Sequence, residues 1–326
     1  MADIIRTVID GIYSSKVTRE LYALYLLPWM TATSYYPVGT NVFELEWDIL
    51  IVLDACRVDA MNIVAAEYEF IDDVGAIYSV GSTSKEWIVN TFTEEYRNQI
   101  SRTTHISANA WVDTVLTDDV DFGFWSPTRG SFLELHSIFA SLMSRPILTQ
   151  EDFLKFESLS HFNEEYGIVP AETVTDHAIE TARESSFDKM LIHYMQPHAP
   201  YLRNAIQADQ ELTSTEKDPF GELRSTGNRE EVFDLYLDNL RYVLDSVEVL
   251  LENLDGERVL ITSDHGELFG EFGISNHIAG IPHPNLKKVP LVETSATDRR
   301  NYTPEITSES QNNSSVEDRL EDLGYL

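Results

Sequence analysis

The sequence predicts an α/β fold in which helices sandwich a mainly parallel sheet. Short apolar runs rich in β-branched residues alternate with stretches of helical periodicity. The run Trp47–Asp54 (WDILIVLD) is almost continuously apolar, as a strand buried on both faces must be. Two aspartates, Asp54 and Asp264, each follow such a run. Parallel sheets gather their sites at the carboxyl ends of strands, so both acids are expected at one edge.

Residues 1–45 read as a helical extension packed on the core, with a loop at Pro37 and Gly39. Within it, Leu21–Met30 is apolar but short and broken by Pro28. A buried core helix is the preferred reading there; a docking helix or peripheral membrane anchor is the alternative. Residues 46–293 read as the α/β domain, with strands at 47–54, 74–80, 103–108, 189–195, 258–262 and 289–292. Helical character follows at 57–67, and a helix starts near Ser84, which is expected to cap it. The aromatic stretch 110–170 reads as an insertion or lid with helices at 131–143 and 150–165. A further helix is expected over 171–186. Residues 204–228 are polar and read as a mobile loop. Glu230–Leu254 repeats apolar residues near the 3.6 period and stops before Gly256. Residues 294–326 read as a polar linker and a short closing helix, Val316–Leu326.

The chain has 326 residues, 43% of them hydrophobic, which supplies ample core material. Its net charge is −32, so no broad basic face exists to hold nucleic acid or an anionic membrane. The acids are spread throughout and Arg outnumbers Lys, the pattern of a protein adapted to molar intracellular salt. The source is therefore read as a salt-in halophile. An acidic protein built for a basic partner would show a clustered block instead. Cys56 is the only cysteine, which excludes internal disulfides and multi-cysteine metal sites. No signal peptide pattern and no run of about 18 apolar residues stands out, so a cytoplasmic location without a transmembrane segment is expected.

Four segments carry residue types suited to chemistry. Asp264-His265-Gly266-Glu267 offers oxygen and nitrogen ligands for a divalent cation at a strand end. Asp54 opens the segment DACRVD and is the second ligand candidate; Asp59 reads as a cap or an ion-pair partner of Arg57. Cys56 reads as a small buried residue. Gly81-Ser82-Thr83-Ser84-Lys85 places three hydroxyls at a helix N-terminus, where an anion or alkoxide is stabilised. His198 lies in the proline-stiffened turn PHAPY after a strand, whereas His193 on that strand reads as a satisfied core histidine. His277, ahead of His283, can reach the site from the loop after Asp264.

The order and content of these segments resemble the alkaline phosphatase superfamily, most closely its sulfatase-like branch. The resembling pieces are ILIVLDACRVD, GSTSKEW, LIHYMQPHAPY and VLITSDHGELFGEFG, with weaker likeness in VPLVE and VEDRLEDLGYL. The resemblance implies that Asp54, Asp264 and His265 bind a divalent metal. It implies a nucleophile at Thr83 that also touches the metal, as in the Gly-x-Thr-Ser pattern of similar phosphoglycerol transferases; Ser82 and Ser84 stay open for that role. His198 is implied as a contact to the substrate anion or an acid for the leaving group. His277, Lys85 and Arg57 are implied as holders of the transferred group's oxygens. The Cys/Ser-x-Pro-x-Arg signature of formylglycine sulfatases is missing, and no Asp-x-x-x-His set follows Thr83, so one metal is expected: Mn²⁺ or Zn²⁺ ahead of Mg²⁺ or Ca²⁺. The implied activity is hydrolysis of phosphate or sulfate esters of a small molecule, glycan or lipid. Transfer of a phosphoglycerol- or phosphoethanolamine-type group in surface glycan or lipid assembly is the alternative, and a metal-binding accessory protein a third reading.

Overall fold

The computed structural model describes residues 38–117, 147–161 and 166–306, with residues 20–21, 24–25, 28–29, 32–33 and 36. Its centre is a seven-stranded sheet in the order β2-β7-β6-β1-β5-β3-β4. The strands are β1 Ile49–Leu53, β2 Gly75–Tyr78, β3 Thr103–Ser107, β4 Lys155–Ser158, β5 Lys189–Tyr194, β6 Gly256–Thr262 and β7 Lys288–Ala296. β6, β1, β5, β3 and β4 run parallel to one another, and β7 runs antiparallel to both β6 and β2. This is the mainly parallel α/β architecture that the apolar runs predict.

The reason β1 is apolar throughout is visible in where its side chains go. Successive residues of a strand point to opposite faces. Ile49, Ile51 and Leu53 enter one core with Met61 and Val64 of α1 (Val58–Val64) and Ala178 of a helix over Ala171–Glu184. Leu50 and Val52 enter the other core, with Trp87 and Ile88 of α2 (Ser84–Thr91). All five β1 side chains are fully buried. Each contributes about 1.5–3 kcal/mol relative to exposure, so a polar residue within β1 is excluded, and the first polar position, Asp54, falls where the strand ends. The long helix α3 (Arg229–Leu251) closes the first face with Leu240, Val243, Leu244 and Val247.

The register then fixes the site. Leu53 pairs with Tyr194 of β5, and Val52 pairs with both His193 of β5 and Thr262 of β6. Asp54 and Asp264 therefore leave the sheet at the same edge.

Several expectations are revised. The described part of the helix expected at 150–165, residues 150–161, is not an α-helix: a single 3-10 turn at Gln150–Asp152 leads into β4, which pairs with β3 at the sheet edge. Residues 204–228 are helical in three pieces, Arg203–Ala208, Ser214–Lys217 and Pro219–Thr226. Local capping explains the last two: Thr213 and Glu216 form a capping box, and Asp218 caps the helix that Pro219 opens. Gly256 begins β6 and is not the stop of α3, which ends at Leu251. β7 runs to Ala296, past the expected start of the polar linker. At the N-terminus, Leu21 is 61% and Leu24 54% exposed, against the core-helix reading at those positions. The helices expected at 131–143 and Val316–Leu326, and most of residues 1–45, lie outside the described residues.

Candidate metal centre

Asp54 is held where it is by an unusual turn. Ala55 has φ 61°, a left-handed conformation that costs a non-glycine residue energy. Three hydrogen bonds hold it. The Ala55 N–H donates to Asp264 Oδ1 at 3.2 Å, and Tyr236 of α3 donates its hydroxyl to the Ala55 carbonyl at 2.8 Å. The Arg57 N–H donates to the same Tyr236 oxygen at 2.9 Å. The turn after β6 is tied to it: Ser263 Oγ accepts from the Cys56 N–H at 2.9 Å and donates to the His265 carbonyl at 2.5 Å. Gly266 is required because a Cβ there would collide with the carbonyl of Asn285.

The carboxylates and imidazoles converge in the space between these turns. Asp54 Oδ2 accepts from Asn109 Nδ2 at 2.7 Å and from Ser84 Oγ at 3.1 Å. Asp54 Oδ1 and Asp264 Oδ2 are buried with no hydrogen-bond partner among the described residues. His265 Nε2 lies 3.5 Å from each of these two oxygens and 3.2 Å from Ser84 Oγ. The Gly266 carbonyl accepts from His265 Nδ1 at 2.8 Å, which leaves the lone pair on Nε2. His193 Nε2 lies 3.9 Å from Asp54 Oδ2 and 3.8 Å from Asp264 Oδ2.

Buried carboxylate oxygens without donors are expensive unless a cation meets them. Burial, and next the charge of Asp264, push the Asp54 carboxyl well above its ordinary range. The donor set, hard oxygens with imidazole nitrogen, suits a divalent cation. Asp54, Asp264 and His265 thus fit the metal that the resemblance implies.

The hydroxyls divide differently from expectation. Thr83, not Ser84, is the N-cap of α2, and its Oγ1 accepts from the Glu86 N–H at 3.3 Å. Ser84 is fully buried and gives its hydroxyl to the acid cluster, while Thr83 stays partly exposed. The loop is pinned by Glu86, which accepts from the Ser82 N–H at 2.7 Å and the Ser82 hydroxyl at 2.6 Å. Gly81 is required because a Cβ there would meet the backbone of Trp87.

A second donor cluster adjoins the first. His198, Glu267 and His277 each present one ligand atom within 4.8 Å of the others. His277 Nδ1 lies 3.1 Å from Glu267 Oε2, and the His277 ring is 4.4 Å from that of His265. Burial lowers His277 to about 4 and raises Glu267 to about 7. Burial, then the neighbouring His277, lowers His198 to about 3, so it is neutral near pH 7. Its Nδ1 donates to the Ala199 carbonyl at 2.5 Å, so Nε2 bears a lone pair. That is the state of a proton acceptor, whereas a leaving-group acid needs the protonated ring.

Arg57 and Lys85 are drawn elsewhere. Arg57 bonds both oxygens of Asp59, Glu271 Oε1 and the Glu267 carbonyl, so its guanidinium braces the turn instead of facing the acid cluster. Lys85 is buried with Nζ 4.7 Å over the Trp111 ring. Cys56 is fully buried, and burial pushes its thiol up, in keeping with an inert side chain. His283 caps the short helix Pro284–Lys287, accepting from the Asn285 N–H at 3.0 Å. Sequence reasoning assigns no role to Asn109, includes Glu267 only as part of the Asp264 segment, and reads His193 as a core histidine. Asn109 follows β3 at the same sheet edge, a placement that could have marked it.

No protein-family model and no curated protein sequence matches the chain. Among solved structures, it is similar to the soluble domain of lipooligosaccharide phosphoethanolamine transferase A from Neisseria meningitidis. Identity is 14%, coverage 77% of each chain and the TM-score 0.45. The periplasmic domain of EcEptC from Escherichia coli, in complex with Zn, is 12% identical over 80% of this chain and 76% of that one, with a TM-score of 0.43. A protein in the alkaline phosphatase superfamily from Vibrio parahaemolyticus is 12% identical over 86% and 69%, with a TM-score of 0.37. At these identities and scores they stand as likenesses, and the roles below rest on this chain's own geometry.

Proposed function

We propose that the chain is a metal-dependent enzyme of phosphoric esters that takes a phospho-group onto the Thr83 hydroxyl and passes it to a second hydroxyl. The observation that carries this reading is the meeting of Asp54, Asp264 and His265 around two unpartnered carboxylate oxygens beside the N-terminus of α2. A bound divalent cation supplies charge neutralisation for the ester oxygens and a lowered pKa for a nearby hydroxyl. Phosphate is preferred to sulfate because the formylglycine signature is missing from the sequence.

Thr83 is assigned as nucleophile because it is the partly exposed residue of the pair; Ser84 is fully buried. Its oxygen bonds to phosphorus as the bond to the leaving oxygen breaks, the Thr83 proton passing to solvent and the leaving oxygen taking one from solvent. The N-terminus of α2, whose first residue Ser84 bonds to Asp54, favours anionic oxygens beside the acid cluster. His198 Nε2 takes the proton of the incoming hydroxyl in the second half of the cycle, and His277 stands beside it. An alcohol acceptor makes the enzyme a transferase, as the phosphoethanolamine transferase named above is; water makes it a hydrolase.

The test is release of p-nitrophenolate from a phosphodiester in molar KCl with Zn²⁺, Mn²⁺ or Mg²⁺, with and without glycerol as acceptor. Metal-dependent release that Asp264→Asn abolishes supports the reading, and a glycerol adduct supports transfer. Tight metal binding with no turnover of any ester would leave an accessory metal-binding protein and end the proposal.

A further inference from the structure

We infer that His193 is itself a ligand of the cation, through Nε2, so that the centre offers two imidazoles and two carboxylates. The inference rests on the reading of Asp54, Asp264 and His265 as the cation site and adds a residue to it.

His193 is fully buried near the end of the central strand β5, yet neither ring nitrogen has a hydrogen-bond partner among the described residues. His105 of β3 also leaves both nitrogens unmatched, but it is ringed by Phe92, Phe153 and Phe156, whereas His193 faces two carboxylates. Its Nε2 is aimed at Asp54 Oδ2 and Asp264 Oδ2, at 3.9 and 3.8 Å. Those separations are too long for hydrogen bonds. They are close to the spacing of ligand atoms around one ion: metal–ligand bonds of about 2.0–2.2 Å in a tetrahedron put neighbouring ligands roughly 3.3–3.6 Å apart. The His265 separations of 3.5 Å fall in the same range. The ring is held edge-on against Trp87, centroids 5.5 Å apart, which fixes its direction. Because the ring is fully buried, a role as a substrate contact is excluded. What remains within its reach is the space between the two carboxylates.

Two imidazoles among the ligands shift preference toward Zn²⁺, Mn²⁺ or Co²⁺ and away from Mg²⁺ and Ca²⁺. The experiment is a count of bound nitrogens. Pulsed electron paramagnetic resonance on the Mn²⁺-loaded full chain is expected to show two directly coupled imidazole nitrogens, and His193→Gln one. Zn²⁺ affinity in the variant is expected to fall by at least about tenfold, the scale of losing support around a metal. A weakened affinity alone would also follow from an outer partner, so the nitrogen count decides. One coupled nitrogen in the wild-type protein, or an unchanged spectrum in His193→Gln, overturns the inference even if His193→Gln destabilises the fold. Asp264→Asn separates the two claims. If it abolishes Mn²⁺ binding while the wild-type count is one, the cation site stands and the His193 ligand falls. If it binds Mn²⁺ as the wild type does, both fall.

Discussion

Thr83 and Ser84 are adjacent hydroxyls with opposite environments, and that difference makes the nucleophile assignment testable. Thr83→Ala is expected to lower ester cleavage by on the order of 10³-fold or more, while leaving metal content unchanged. Thr83→Ser keeps the hydroxyl and is expected to retain most of the rate. Steady-state turnover with metal analysis on the same samples checks both, and wild-type cleavage by Thr83→Ala ends the assignment. Glu267 supports a second prediction. Its carboxyl is raised from 4.5 to about 7, chiefly by burial. In that window the folded chain binds the proton that the unfolded chain has released, so stability present below pH 4.5 is lost as pH rises through 7. The interval corresponds to about 3 kcal/mol. Metal-free Glu267→Gln is therefore expected to match the wild type below pH 4.5 and to exceed its stability above pH 7. Urea unfolding of both proteins across that range measures it, and parallel pH profiles would contradict it.

The turn after β1 shows how one helix governs the site from behind. Tyr236 of α3 holds Ala55 and Arg57 through a single hydroxyl. Tyr236→Phe keeps the ring in the core but leaves the Ala55 carbonyl and the Arg57 N–H without their partner. A loss of about 1–3 kcal/mol is expected, with weaker metal binding because the left-handed turn that aims Asp54 relaxes. Calorimetry of the metal-free protein and a Zn²⁺ titration read the two effects; a variant altered in neither would show that the turn needs no brace. The same turn shows what was legible in the sequence. β1 was readable because two-sided burial leaves no room for polar residues, and Asp54 because it is the first polar residue after them. The helices at 203–226 were not, since their short caps resemble loop composition. Nor was His193: a sequence gives a histidine's place on a strand, but not that both its nitrogens go unmatched. Thr83 and Ser84 are one residue apart, and only the start of α2 decides which caps and which turns inward.

Across the molecule the dominant fact is the net charge of −32 set against a core of two apolar layers. Self-repulsion of that charge opposes the compact state. Salt screens it over a length that falls from about 10 Å at 0.1 M to about 3 Å at 1 M. The buried carboxylates of the metal centre lie beyond the reach of that screening, whereas exposed acids do not. Two consequences follow with opposite signs. The unfolding temperature of the full chain is expected to rise steeply between 0.1 and 2 M KCl. Metal affinity is expected to weaken modestly over the same range, because the negative surface field that draws a cation inward fades. Sucrose at matching osmolality provides the control, since it favours compactness by exclusion without screening charge. A melting temperature that stays flat in KCl, or rises equally in sucrose, would mean that the acids serve something other than life in concentrated salt. A basic partner would then be the better explanation for them, despite their even spread along the chain.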